Sequence, residues 1–269
     1  MRWAVGVEYD GAAFHGWEAQ DGDVRTVQAA IEQGLSIVAD QPITVTVAGR
    51  TDAGVHALGQ VIHFDTEVTR DAHSWLRGVN SNLPADVRLR WVQSVSDDFH
   101  ARYSATARTY RYGILSGPAA SALLRDRLAW TWKSLDVDAM QAGANYLLGE
   151  QDFSAFRAAA CQAQHARREV QAVRCWRQGA VVWFEVRANA FLHHMVRNFM
   201  GSLLEVAAGE RPPEWIAELL AARDRTQAGV TADAAGLYLV EVDYPEKFGL
   251  PQTKNGDPDS LPWPPVYSN

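Results

Sequence analysis

Two cysteines, Cys161 and Cys175, are all that 269 residues contain, so there is no disulfide framework and no CxxC pair for redox or zinc chemistry. No apolar run approaches the length that spans a bilayer. Residues 1–7 lack the separate apolar segment and cleavage site of a secretory leader, because charge returns at Glu8 and Asp10. They read instead as a first strand. Cations are in short supply: 25 Lys and Arg face 32 Asp and Glu, for a net charge of −7 and a pI near 5.6. As an average this opposes nucleic-acid binding, which rests on cations that release counterions from phosphates. A cytosolic protein without a membrane segment is the simplest expectation from these absences.

What is present begins with a core. The chain is 47% hydrophobic and carries ten Trp, more than a disordered chain would hold, and its length suits one large domain or two ordinary ones. The scarce arginines are crowded into two stretches, first Arg102, Arg108 and Arg111, then Arg157, Arg167, Arg168, Arg174 and Arg177. Binding depends on where charge sits, yet on charge alone these read as an ordinary solvated surface.

Apolar periodicity orders the chain. Trp3, Val5, Val7 and Tyr9 alternate as a strand; Val27, Ile31, Leu35 and Val38 recur at helical spacing behind a Thr26 cap. Strands are predicted at 43–47, 60–65 and 87–92, and a short helix at 72–79. The second half runs similarly, with strands at 109–115, 170–177 and 181–187, the last two flanking the turn Gln178-Gly179. Helices are predicted at 139–148 and 191–208, and another opens at Pro212-Pro213. A last strand covers 237–242, and the Pro-, Gly- and Asp-rich tail is expected to lie loosely on the surface. The fold class is α+β: two mixed halves, 1–105 and 106–245, with largely antiparallel sheets joined around a central cleft, helices on the outer faces, and a tail at 246–269.

Between two of these strands stands Gly49-Arg50-Thr51-Asp52-Ala53-Gly54. Glycines permit backbone angles and approaches that other residues resist, and loops on rigid scaffolds often carry chemistry. Asp52 and His56 have i, i+4 spacing, but Gly54 and the β-branched flanks oppose a helix. A purely structural loop, with Arg50 paired to Asp52, stands level with a catalytic one on these residues alone.

Residues 48–57, Ala-Gly-Arg-Thr-Asp-Ala-Gly-Val-His-Ala, resemble the signature of the tRNA pseudouridine synthase A family. Further matches are Glu8-Tyr9-Asp10-Gly11, Gly16-Trp17, Asn82-Leu83-Pro84, Phe99-His100-Ala101-Arg102 and Ala107-Arg108-Thr109-Tyr110-Arg111-Tyr112. The later ones lie at 152–157, 191–198 and 236–240, so that the resemblance covers nearly the whole chain to Tyr244. It implies isomerisation of uridine to pseudouridine, at positions 38, 39 and 40 in the anticodon stem-loop of tRNA, without a cofactor or metal. It also implies a homodimer with one tRNA contacting both subunits.

Residue by residue, the resemblance makes Asp52 the essential carboxylate, acting as nucleophile or proton acceptor. It makes Arg50 the group that fills the space of the flipped base or holds a phosphate, and Tyr110 the ring that packs on the base. Leu237 becomes an apolar wall of the base pocket, a residue that would otherwise read as core, as Tyr112 does. Arg197, with His193 and His194, is expected to line the cleft, contact RNA or pack the subunit contact. The second arginine stretch becomes a candidate contact for tRNA phosphates. The chain departs from the family at Glu18 and Ala19, where a polar or basic continuation is common.

Other readings have observable signatures. A metal-dependent hydrolase would use Asp52, His56 and His193-His194, with Cys161 and His165 as further ligands. Adjacent histidines on a helix point in different directions, however, and no zinc spacing is reproduced. A non-catalytic tRNA-binding protein would not need Arg50-Thr51-Asp52, and a purely structural protein leaves the arginine-rich strands without a purpose.

Overall fold

The structure, a computed structural model, describes residues 1–20, 22 and 24–251. Ten strands and five α-helices are present among them, an α+β fold whose strand pairings are mostly antiparallel. No helix among the described residues is long and apolar enough to cross a membrane. The described residues divide into two compact units, one built from 1–107 with 238–251, the other from Arg108–Leu237.

The first unit is a sheet backed by two helices. Strand β1 (Arg2–Tyr9) lies antiparallel between β3 (His56–Asp65) and β4 (Val87–Val95). The other edge of β3 is shared. The two-residue β2 (Thr46–Val47) pairs antiparallel with its C-terminal part, and β10 (Leu237–Asp243) pairs parallel with its first residues, Tyr238 opposite His56. Cross-strand partners fix the register: Trp3 faces Phe64, Val5 faces Ile62, and Arg2 holds Asp65 through two guanidinium hydrogen bonds of 2.9 and 2.7 Å.

Helices α1 (Val27–Ala39) and α2 (Ala72–Asn82) start where side-chain oxygens cap them. Thr26 accepts from Ala29 N, and Asp71 accepts from Ser74 N at 2.6 Å. They pack on each other and against β4, burying Ile31, Leu35, Trp75 and Val79. Trp75 meets Phe64 edge-on, 5.2 Å between ring centres.

The second unit repeats the plan with other connections. Strand β9 (Val181–Ala188) runs antiparallel between β5 (Ala107–Ser116) and β8 (Arg167–Gln178). The short β7 (Gly149–Asp152) extends β8, and β6 (Ala129–Thr131) lies parallel to β5. Helices α3 (Val137–Asn145), α4 (Met195–Ala207) and α5 (Trp215–Ala222) pack together, with α3 against β8. Phe199 is fully buried between Phe153 and Phe156, at ring distances of 5.5 and 4.9 Å.

Several sequence expectations need correction. The strand expected at 43–47 shrinks to Thr46–Val47, because Ile43 N donates to Ser36 Oγ and Val45 N to Glu32 Oε1, two side chains of α1. The helix expected from Phe191 begins only at Met195: His194 sits in the left-handed region at φ 60°, which a helix interior does not tolerate. The histidine pair therefore precedes the helix, and the divergence of side chains along a helix does not apply to it. The tail is not loose where it is described. A 3₁₀ turn, Glu246–Phe248, buries Phe248 against Phe99 at 5.1 Å, while Lys247 pairs with Asp98 at 2.6 Å. The rest of the predicted tail, 252–269, lies outside the described residues.

Candidate active site

Asp52 sits on a tight turn between β2 and β3. Its carbonyl accepts Val55 N–H at 3.1 Å, which makes Ala53 and Gly54 the central residues of a four-residue turn. Gly54 has φ +78°, a conformation costly to any side-chain-bearing residue at that position. The turn carries the half-buried Asp52 between a buried Thr51 and an exposed Ala53.

Two layers of contacts hold this turn. From outside, Trp17 N donates to Thr51 O at 3.0 Å and Gly54 N donates to Phe14 O at 3.3 Å. Gly16 lies so close that an added Cβ would be 2.9 Å from Thr51 O, at a φ of +96°. Residues 16 and 17 are in turn anchored to α1, their carbonyls accepting from Val27 N and Gln28 N.

From inside, a buried polar network grips both sides of Arg50. Gln60 Nε2 donates to Gly49 O at 2.7 Å and to Tyr9 Oη at 3.3 Å; its Oε1 accepts from Val61 N, which fixes the orientation of the amide. Because the amide donates to the phenol oxygen, the Tyr9 proton is available for Thr51 Oγ1, 2.8 Å away. Burial pushes the Tyr9 phenol up to about 12, so it stays a donor at neutral pH. Sequence reasoning missed this network. Its signal was the Gln60 amide in a strand otherwise facing a core, since buried amides must be hydrogen-bonded.

Arg50 itself points outward and pairs with Glu18, Nη2 to Oε1 at 2.6 Å. Glu18 is thus the ion-pair partner of the Arg50 guanidinium. His56 begins β3 and is buried; its Nδ1 accepts from Gly11 N at 3.0 Å and its ring stacks on Tyr238 at 4.7 Å. That imidazole is built into the sheet.

The second unit holds the remaining sequence candidates. Tyr110 lies in β5, nearly buried, with its ring edge-on to Phe191 at 5.0 Å. Tyr112, two residues on, is fully buried and donates to Asp233 O at 2.7 Å; burial raises its phenol far above the ordinary range. It is a core tyrosine, as its alternation suggests. Leu237 is buried at the start of β10. Arg197, in the first turn of α4, donates from Nε to Ala232 O at 2.8 Å, and Ala232 N returns a bond to its carbonyl. This double link ties the start of α4 to the segment preceding β10.

The arginine-rich stretch serves several purposes. Arg157 Nη2 donates to the carbonyls of Cys161 and Ala163, both at 2.7 Å, and Arg177 donates to Leu135 O. These two organise loops. Arg167 pairs with Glu150 at 3.1 Å, and Arg174 lies exposed over the Trp176 ring. His165 faces the Arg168 guanidinium, 3.4 Å from Nδ1, a cationic neighbour that makes it a poor metal ligand. The His193 and His194 rings lie against each other at a tilt of 40°, their centres 4.0 Å apart.

Fold and loop together describe an α+β protein that presents one carboxylate on a braced turn. The model of the tRNA pseudouridine synthase family matches residues 6–104 and 144–245, and the chain belongs to that family. Relatives named tRNA pseudouridine synthase A agree along almost their full length. That of Hydrogenovibrio crunogenus is 53% identical over 249 residues, covering 93% of this chain and 95% of the relative. That of Methylococcus capsulatus is 55% identical over 250 residues, covering 93% and 92%. The Escherichia fergusonii relative is 52% identical over 253 residues, covering 94% and 93%.

Proposed function

We propose that this chain isomerises uridine to pseudouridine on the 3′ side of the anticodon stem-loop of tRNA, with Asp52 as the essential catalytic residue. Family membership makes it an isomerase acting on tRNA. The observation that carries the role of Asp52 is the bracing of its turn from both sides, by Trp17 outside and by Gln60, Tyr9 and Thr51 inside. A nucleophile or base must be held where the reacting atom arrives, and a floppy carboxylate loses most of its rate advantage.

The chemistry is balanced without an outside reagent. The N1–C1′ bond breaks, the base turns, C5 joins C1′, the C5 proton leaves and N1 takes one up. The Asp52 carboxylate assists as nucleophile or as proton acceptor. A stacked, paired uridine must first leave the helix. Tyr110 then packs on its face, a contact that suits any uracil because it reads no sequence, and Leu237 closes the pocket with an apolar wall. Arg50 meets the RNA backbone, and Arg197 also contacts RNA. The enzyme works in the cytoplasm as a homodimer, one tRNA touching both subunits, as the family resemblance implies.

Release of tritium from tRNA labelled at uridine C5 tests this reading. Wild type releases tritium and Asp52→Ala does not. No release by wild type from any tRNA sinks the synthase reading; equal release by both sinks the role of Asp52 alone.

A further inference from the structure

We infer that Glu18 is a positioning residue that occupies Arg50 in the RNA-free enzyme and is exchanged for an RNA phosphate when tRNA binds. This rests on the proposed function, in which Arg50 faces the RNA backbone.

The pairing is built by the backbone. Trp17 N donates to Thr51 O, so the chains on either side run past each other and residue 18 comes opposite residue 50. Trp17 is 1% exposed and its carbonyl is held by Gln28 N, so Glu18 projects from a fixed base. Thr51 and Gly49 are pinned by Tyr9 and Gln60, so the base of Arg50 is equally fixed. The two side chains meet at 2.6 Å, and both are more than half or about half exposed, at 58% and 50%.

Their chemistry then sets the strength. A carboxylate offers guanidinium the same planar pair of oxygens that a phosphate does. An exposed pair contributes little and is weakened by salt. Glu18 therefore biases the Arg50 guanidinium toward one place between turnovers and releases it at small cost to a ligand with more charge. After exchange, Glu18 faces RNA without its partner and recruits a cation from solution. That uptake offsets part of the counterion release that accompanies phosphate binding.

The test is a double-mutant cycle on tRNA affinity, all four proteins carrying Asp52→Ala to prevent turnover: parent, Glu18→Gln, Arg50→Ala, and both. The probe is an unmodified anticodon stem-loop RNA, titrated at several salt concentrations. In the Arg50 background, Glu18→Gln tightens binding about two- to fivefold near 0.1 M salt. It also steepens the slope of log K against log salt by roughly 0.7–0.9, one further ion released. In the Arg50→Ala background there is no guanidinium to release, so the same substitution keeps only the effect of removing an acid beside RNA and tightens binding less than in the Arg50 background. Equal effects in both backgrounds would mean that Glu18 acts only as a repulsive charge, and an unchanged slope in the Arg50 background would mean no exchange occurs; either result overturns the inference. With Asp52 intact, Glu18→Gln lowers KM for tRNA in the tritium assay. Failure of wild type in that assay counts against the proposed function, whereas failure of the cycle with an active wild type counts against Glu18 alone.

Discussion

Replacing Gln60 by Leu removes the inner brace of the Asp52 turn while nearly conserving side-chain volume. Three hydrogen bonds disappear: to Gly49 O at 2.7 Å, to Tyr9 Oη at 3.3 Å and from Val61 N at 3.2 Å. Tyr9 keeps Thr51, but the buried Val61 N–H loses its partner, and the half-buried Gly49 carbonyl loses its link to the core. A buried backbone group left unsatisfied costs about 1–3 kcal/mol, and the Val61 N–H is the one such group, so the variant loses roughly 1–3 kcal/mol of stability. The functional effect is separate. Gly49 O is one residue from Arg50 and three from Asp52, and a displacement of about 1 Å at a catalytic group costs on the order of 100-fold in rate. The prediction is a kcat reduced about 10- to 100-fold in the tritium assay, measured at a temperature where urea melts show the variant folded. Tyr9→Phe, which loses only the phenol oxygen, costs about 0.5–1.5 kcal/mol and a smaller part of kcat. The two substitutions are non-additive because they share a hydrogen bond. A Gln60→Leu enzyme that loses the expected stability but keeps its kcat would refute the idea that this network sets the geometry of Asp52.

Other consequences follow from single features. Gly16→Ala places a methyl 2.9 Å from Thr51 O on a backbone at φ +96°, and is expected to cost more than about 2 kcal/mol and to depress kcat, checked by urea melts beside the tritium assay. Burial, with Arg2 and His100 nearby, holds the His63 imidazole down to about 4 from 6.5, with its Nδ1 accepting from Ala101 N. The unfolded chain therefore binds the extra proton, so the contribution is intact above pH 6.5 and is lost as pH falls from 6.5 to about 4. Urea midpoints across that window fall in wild type and less steeply in His63→Gln. Phe199→Ala, which empties a fully buried site between Phe153 and Phe156, costs about 3–5 kcal/mol in the same melts.

How much of this the residues revealed beforehand depends on how local each feature is. Alternation at Trp3, Val5, Val7 and Tyr9 and the Thr26 cap gave β1 and α1 to within a residue, because period and cap are local properties. The 3.6-residue pattern placed α4 but set its start at Phe191. Nothing in an apolar spacing reports that His194 takes φ 60°, a property of one residue's backbone that leaves the periodicity unchanged. Strand β2 came out short for a related reason: Ser36 and Glu32, on a neighbouring helix, take the N–H groups a ladder would have used. The parallel pairing of β10 with β3 joins residues far apart in sequence and left no local trace. At the site, the glycine-bracketed Asp52 was legible as a loop. The choice between structural and catalytic roles came from the resemblance, not from the residues. The brace by Tyr9 and Gln60 was signalled only by an amide in a core-facing strand, and the Glu18–Arg50 pair was illegible, since it depends on contacts between separate segments.

The central claim is that one carboxylate, Asp52 on its braced turn, carries the isomerisation. Asp52→Asn tests it most directly, because the amide keeps size and much of the hydrogen bonding and removes only the charge and basicity. Tritium release from C5-labelled tRNA should fall to background in this variant, with stem-loop affinity within a few-fold of wild type. Release at a rate near wild type would contradict the account.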